Sequence, residues 1–413
     1  MAKWTLKALS VISGLAVASL TAAMDVDLGF VERGYNVVFD TLNRPILIGV
    51  SETPTPKVFA SAYRQNGTNL WSTTVAPLDP NGAIPLRPAV RLGKLIIPWF
   101  GGQLPDTLNA GTIEINPTSG SVNSQAMSTS ASPQSYTDSA VSANGTVYQT
   151  GNYYLAGPPA TFNPVLFKKS PTGAGTFTNY PSPAGITTTF DYVCTVPGAV
   201  YVVGHVLDFT SGSNVYMFVK KIDPTTMAVL WTTEIHGPNN YSFPVGIRTD
   251  STGNIFVAGT QTSIFGDDDL LYAKLDSSGN ILAQNAFVNP NSDEFATCFT
   301  LTASGIPAIG GSYNGEFCVS AASNYLTTIN LTISPNNTRA VCITTDGTNF
   351  FAAGGSHVMK VDPLCQVFWL RTHPALGSTY DLSVNGSSVY TAGESGGNAK
   401  LCKIETLLGN FVW

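Results

Sequence analysis

The feature that most constrains this chain is internal repetition. One unit recurs along it: an apolar strand, a tight turn, a second apolar strand closing on glycine, a variable loop, a third strand ending near Lys-x-Asp, another turn, and a fourth strand that often closes on tryptophan. The clearest copy runs from Val245 to Gly259 (VGIRTDSTGNIFVAG) and on from Leu270 to Phe287 (LLYAKLDSSGNILAQNAF). The closing glycine stands at Gly49, Gly101, Gly151, Gly204, Gly259, Gly311, Gly354 and Gly393, at successive spacings of 39 to 55 residues. Eight marks imply eight units.

Residues that favour tight turns join the strand pairs, among them Asn144-Gly145, Pro197-Gly198, Asp346-Gly347 and Asn385-Gly386, so the pairs are antiparallel hairpins. Second strands such as LIIPWF, VYVV and IFVA are apolar at successive positions, which requires cover on both faces of the sheet. No stretch has helical periodicity at useful length, and 39 Gly with 26 Pro argue against helices throughout. Sheet must therefore cover sheet. Ordering about 45 residues costs on the order of 70 kcal/mol, which needs on the order of 2,700 Å² of apolar burial, more than one wet four-stranded sheet supplies. Stacking the units around an axis covers every face, and closing the ring removes the open ends. The expected fold is all-β: a β-propeller of eight four-stranded blades, with seven as the alternative, because units two, three and six keep little of the signature. The closing glycine is expected where neighbouring sheets crowd toward the axis. The terminal NFVW is shorter than the fourth strand of the first unit, so Val26 to Val31 is expected to complete the last sheet and latch the ring.

The run TDSTGNIFVAG…LLYAKLDSSGNILAQ, with weaker echoes at TTDGTNFFAAG…HVMKVDPLCQVFW and SVNGSSVYTAGE…KLCKIETLLGNFVW, resembles the bacterial β-propeller repeat of the SBBP type. The stretch from Lys221 to Trp231 (KIDPTTMAVLW) is similar to the tryptophan-docking motif of the quinoprotein-like (PQQ-like) propeller repeat. It keeps Asp223, Thr226 and Trp231 at the motif's spacing and replaces the motif's glycine with Met227. Trp71, Trp369 and Trp413 close other units in the same way. Both resemblances imply architecture, from about Tyr35 to Trp413, and neither implies an activity.

Residues 1–23 carry two early lysines, then the 16-residue uncharged run Ala8–Ala23 with small residues at Thr21-Ala22-Ala23. This has the shape of a secretory signal peptide and is shorter than the roughly 20 apolar residues of a membrane-spanning helix. The expectation is export to the exterior, the cell surface or the periplasm, with residues 24–413 forming a single propeller domain. Outside the cytosol the six cysteines permit up to three disulfides. Cys194, Cys298 and Cys342, however, fall at one repeat position where another unit has Gly246, which favours small buried residues over bridges.

Signals for chemistry are sparse. The run Gly266-Asp267-Asp268-Asp269 could hold Ca²⁺ but lacks the spaced oxygen ligands of a calcium loop, so a solvated loop is the preferred reading. There is no Gly-x-Ser-x-Gly elbow, and no adjacent Cys-Cys pair such as the resemblance to quinoprotein dehydrogenases would call for. His205 and His357 are expected on equivalent loops just past the closing glycine. A net charge of −6 offers no footprint for nucleic acid.

Two functional readings follow. In the first, a noncatalytic scaffold binds protein or glycan through the variable stretches Ser51–Lys57, Gln103–Ala110, Asn152–Asn163 and Leu207–Asn214, all on one end of the ring. In the second, an exported lyase, hydrolase or quinone-dependent oxidoreductase has its site at the axial opening. Charged or histidine side chains converging on the axis would favour the second, and the inner strands offer Asp40, Arg91, Arg248 and Asp381.

Overall fold

The computed structural model describes residues 24–26 and 32–413, apart from 52–54, 81, 104–106, 130–133, 156–160, 209–213, 238–240, 263–265, 291, 337 and 374–375. The expected leader, residues 1–23, lies outside the described residues.

Eight antiparallel sheets form the molecule, one per repeat: residues 32–75, 84–129, 134–179, 186–235, 242–287, 294–334, 342–372 and 378–405, the last joined by Met24–Val26. In this order they are blades one to eight. Within each, the strands run as an antiparallel meander, and in blades two and four the inner strand is in two pieces that both pair with the next strand. The first strands of successive blades face one another around the axis, and blade eight returns to blade one. The ring therefore has eight blades, and the weak repeats two, three and six each build a complete sheet. Among the described residues no helix is long and apolar enough to cross a membrane.

The strand chemistry follows the layering. Second and third strands are buried end to end, as in Pro45–Ser51 and Asp268–Leu275, whereas fourth strands such as Val229–Ile235 alternate and face solvent. Alternate side chains of one strand serve two interfaces. Phe256, Ala258 and Leu270 pack toward blade six with Ala296 and Ile309, while Val257, Leu271 and Ala273 pack toward blade four with Val203 and Val219. There is one apolar cluster at each of the eight junctions. Each large buried side chain in them contributes roughly 1.5–3 kcal/mol, so the stability of a blade resides in its two neighbours.

The closing glycine has a cause different from the one expected. The inner strand bulges at Gly34/Asn36, Tyr136/Asp138, Pro244/Gly246, Ala296/Cys298 and Thr379/Asp381. Its carbonyl beside the bulge is thereby driven onto the second strand. A Cβ at Gly49, Gly204, Gly259, Gly311, Gly354 or Gly393 would overlap the carbonyl oxygen of Arg33, Thr189, Phe243, Phe295, Arg339 or Ser378 respectively. The closest approach is within the blade, and at Gly259 Met217 Sδ of the neighbouring blade adds to it.

Ring closure is composite. Met24–Val26 pairs antiparallel with residues 399–401 on the outer edge of Asn398–Glu405. The C-terminal residues take the rest of that edge: Lys403 N–H donates to the Trp413 carbonyl at 2.7 Å and Val412 N–H to the Lys403 carbonyl at 2.8 Å. Met24–Val26 thus latches the ring and shares Val26 with the expected Val26–Val31, whose residues 27–31 lie outside the described set.

Tryptophan and lysine explain the rest of the signature. The indole N–H groups of Trp71, Trp231, Trp369 and Trp413 donate to the carbonyls of Pro117, Ser277, Thr406 and Gln65, each in the turn before the fourth strand of the next blade. The lysine of Lys-x-Asp, and of Lys-x-Glu in blade eight, reaches the equivalent turn of the next blade: Lys221 to Ser277, Lys274 to Asn324, Lys360 to Thr406 and Lys403 to Gln65. In that turn one residue has positive φ, glycine at 67, 120, 279 and 409, but Met227 (62°), Leu326 (55°) and Cys365 (58°) elsewhere. All three of these side chains are buried in interblade clusters, which offsets the backbone cost.

Candidate functional site

In blade four, as in blade two, the inner strand is split instead of bulged, and in blade four the split builds a site. Its inner strand splits into Ile186–Thr188 and Tyr192–Val196, and both parts pair with Ala199–Asp208. Residues 189–191 stand between the two parts opposite Gly204 and His205, one residue more than the ladder needs, and Phe190 is the middle one. Its N–H is drawn to the Asn152 side chain of blade three at 3.0 Å, and its ring is fully buried between the two blades. The flanking residues stay tethered to the second strand, through Thr189 N–H to the His205 carbonyl and Asp191 N–H to the Val203 carbonyl. This detour places Asp191 against His205.

His205 Nδ1 lies 2.7 Å from Asp191 Oδ2. Beside a carboxylate that nitrogen carries the proton and donates it, which leaves Nε2 as the acceptor nitrogen. The Thr189 hydroxyl donates to the same carboxylate oxygen at 3.1 Å and lies 2.8 Å from Nδ1. Phe243 of blade five sets its ring edge-on to the imidazole at 4.8 Å and meets Tyr241 at 5.1 Å. Together Thr137, Asp191, Tyr192, His205, Phe243 and Pro244 line a cleft of about 330 Å³ where blades three, four and five meet.

Below it the inner strands bring charge to the axis. Arg87 pairs with Asp138 Oδ1 at 2.9 Å, and Asp138 Oδ2 accepts the Val193 N–H of the next blade at 3.1 Å. Tyr192, at the floor of the cleft, has its hydroxyl pKa pushed up to about 12, first by burial and then by the charges of Asp138 and Asp191. Burial and then Arg87 lower the Arg248 guanidinium to about 10. Burial also raises the Cys194 thiol to about 12.

The expected axial residues separate into distinct roles. Arg248 is on the axis. Asp381 is near it, but its carboxylate accepts the Val37 N–H at 2.9 Å, the same inter-blade bond that Asp138 makes, and burial raises its pKa to about 6. Asp40 closes its hairpin, accepting the Leu42 and Arg44 N–H groups and pairing with the Arg44 side chain. Arg91 is exposed beside a turn and donates to the Val90 carbonyl. Neither serves the axis.

Several expectations need correction. His205 is inside a strand, not on a loop, and His357 begins a strand three blades away, so the two do not converge. Cys298 and Cys342 do share a position with Gly246, but Tyr192 occupies it in blade four; Cys194 matches Arg248 instead. The offset arises because blade four closes its hairpin with Pro197-Gly198 alone, pairing Val196 with Ala199. No disulfide joins any of the six cysteines. The acidic run is not a solvated loop: Asp269 is fully buried at the start of a strand, and burial raises its pKa to about 6. Among the described residues no group of three or more His, Cys, Asp or Glu could hold a metal ion. The variable stretches after the closing glycine begin as strand and continue through 52–54, 104–106, 156–160 and 209–213, outside the described residues.

Arg87, Asp138 and Asp191 escaped the sequence reading, for Asp191 and His205 are 14 residues apart and only the split strand joins them.

No family model matches this chain, and no curated protein does. Among solved structures it is similar in fold to an ulvan lyase of polysaccharide lyase family 25, solved bound to -[GlcA(1-4)Rha3S]-, at a TM-score of 0.50 and 7% identity over 93% of this chain and 96% of that one. It is also similar to the β-propeller domain of Cps50 (Swd1) from Myceliophteria thermophila, at a TM-score of 0.46 and 8% identity over 93% and 98% of the two chains. A third similarity, to Raptor of Chaetomium thermophilum, has a TM-score of 0.48 and 8% identity; it covers 93% of this chain and only 28% of that one. A likeness at 7% identity shows the fold alone, so the function must be read from the site.

Proposed function

We propose that this protein is an exported binding propeller that takes a polyhydroxylated, saccharide-like ligand in the cleft between blades three, four and five. The observation that carries the reading is the lining itself. The Asp191 carboxylate, the His205 imidazole and the Tyr192 and Thr137 hydroxyls converge beside the Phe243 ring, and fixed polar groups flanking an aromatic face suit a sugar's hydroxyls and its apolar C–H face. The tryptophan docks support assigning the repeat to the SBBP or quinoprotein-like type. Export rests on the composition of residues 1–23 and is tested by sequencing the N-terminus of the mature protein.

The binding test is calorimetric titration of the full chain with a panel of neutral and uronate-containing oligosaccharides. Binding of one of them, weakened about tenfold or more in Asp191→Ala and Phe243→Ala, supports the reading. Failure of every saccharide to bind, or equal binding by both variants, overturns it.

A second reading is favoured by one observation. A carboxylate-oriented imidazole beside a tyrosine hydroxyl is an arrangement for general acid–base chemistry. Under that reading the bound saccharide is cleaved, and His205→Gln abolishes cleavage while binding survives.

A further inference from the structure

On the axis, Arg248 carries guanidinium donors that no described residue takes up. Its Nη1 donates to its own Ile247 carbonyl at 2.8 Å, and no described carboxylate forms an ion pair with it. Asp138, whose charge acts on Arg248, has one oxygen committed to Arg87 at 2.9 Å and the other to the Val193 N–H at 3.1 Å. A guanidinium carries five N–H donors in a planar fork that matches a carboxylate or sulfate, so most of this fork is open to a ligand. The side chain retains partial solvent exposure. Desolvation and the second positive charge of Arg87 both disfavour its charged form, and an anion would relieve both. The route from the cleft is short in structural terms: Tyr192 lines the cleft and lies within electrostatic reach of Asp138, Arg87 and Arg248.

We propose that Arg248, backed by Arg87, is an anion-binding subsite of the axial channel, and that the ligand of the cleft carries a carboxylate or sulfate group which this guanidinium holds. This rests on the proposed saccharide site for the identity of the ligand but not for the anion subsite itself. It predicts a preference for acidic over neutral saccharides. Charge-assisted, forked contacts of this kind are the strong class of hydrogen bond.

The test follows thermal unfolding of the full chain during titration with sodium sulfate or sodium glucuronate against sodium chloride of equal ionic strength. A saturable rise in Tm with the wild type, absent in Arg248→Gln, is expected. Arg248→Lys keeps the charge without the fork and is expected to bind about tenfold more weakly; it serves as the reporter if the Gln variant does not fold. Asp191→Ala, which disables the cleft, is expected to keep the anion response, so failure of the saccharide reading and failure of the anion subsite are separable. An unchanged response in both Arg248 variants, or no response beyond chloride in the wild type, overturns the proposal. A response to sulfate alone identifies a sulfate-bearing ligand; a response to glucuronate alone identifies a carboxylate.

Discussion

The indole N–H of Trp413 donates to the carbonyl of Gln65 at 3.0 Å, stapling the last blade to the first across the ring closure. The Lys403 ammonium donates to the same carbonyl at 2.9 Å, so this turn is held twice. Trp413→Phe keeps the ring in its cluster and removes only the bond. It is expected to cost about 1 kcal/mol in chemical denaturation, whereas Trp413→Ala, which also empties the pocket, is expected to cost about 3–5 kcal/mol. Equal losses in the two variants would show that the bond, not the ring, holds the junction.

The N-terminal strand is the other half of the closure. Removing residues 24–31 strips the partner from residues 399–401 and leaves that stretch as an unpaired edge. The shortened protein is expected to melt at lower temperature and to self-associate more readily. An unchanged Tm would mean the C-terminal residues hold the last sheet unaided.

Two glycines of one hairpin separate conformation from contact. Gly253 has φ +85° and open space around it, so Gly253→Ala is expected to cost about 1–2 kcal/mol through the backbone alone. Gly259 has ordinary φ, but an added Cβ would overlap the Phe243 carbonyl oxygen and touch Met217 Sδ. Backbone held by two ladders yields little, so Gly259→Ala is expected to cost about 3 kcal/mol and to distort the cleft lined by Phe243. Denaturant midpoints of the two variants decide the order.

These contrasts show how much the sequence disclosed. Spacing of the closing glycines was enough for the ring and its blade number, because one closes the second strand of every blade. The reason for the glycine was not legible, since the overlapping carbonyl belongs to a residue some 15 positions upstream, as Arg33 does for Gly49. Lys-x-Asp and Trp were visible as a pattern, but their targets lie about one repeat away, as Ser277 does for Trp231. The candidate site was the least legible part. His205 could be noted, yet Asp191 meets it only across the split in the inner strand, 14 residues upstream. Nor does composition reveal that Asp269, last of three consecutive aspartates, turns inward at a strand start.

Met227 tests whether a motif residue should be restored. Glycine is the motif's choice at this left-handed position, and relief of the backbone would contribute about 1–2 kcal/mol. The methionine side chain, however, is packed with Tyr180 and Phe190, and the Tyr180 hydroxyl donates to its carbonyl at 2.9 Å. Losing that burial costs about 1.5–3 kcal/mol before any cavity is counted, and glycine loses more entropy on folding. Met227→Gly is therefore expected to destabilise the protein despite matching the motif; a rise in denaturant midpoint would refute this weighing.

Glu294 makes stability depend on pH in a direction opposite to that of a salt-bridged acid. It is fully buried, its Oε1 accepts the Ser292 hydroxyl at 2.6 Å, and its Oε2 has no hydrogen-bond partner. Burial raises its pKa from 4.5 to about 8, the Ser292 bond opposes this, and the charges of Asp269, Asp267 and Asp293 push further in the same direction. Between those two values the folded protein keeps a proton that the unfolded chain has released. Stability must therefore fall as pH rises through that window and level off above it. Asp269, raised by burial to about 6, adds to the lower part of the same slope. Glu294→Gln preserves the acceptor for Ser292 without the charge, so it is expected to flatten the profile and to exceed the wild type in Tm above pH 8. Thermal melts across the window test this, and a wild-type Tm that climbs with pH there would contradict the assignment of a buried, uncompensated acid.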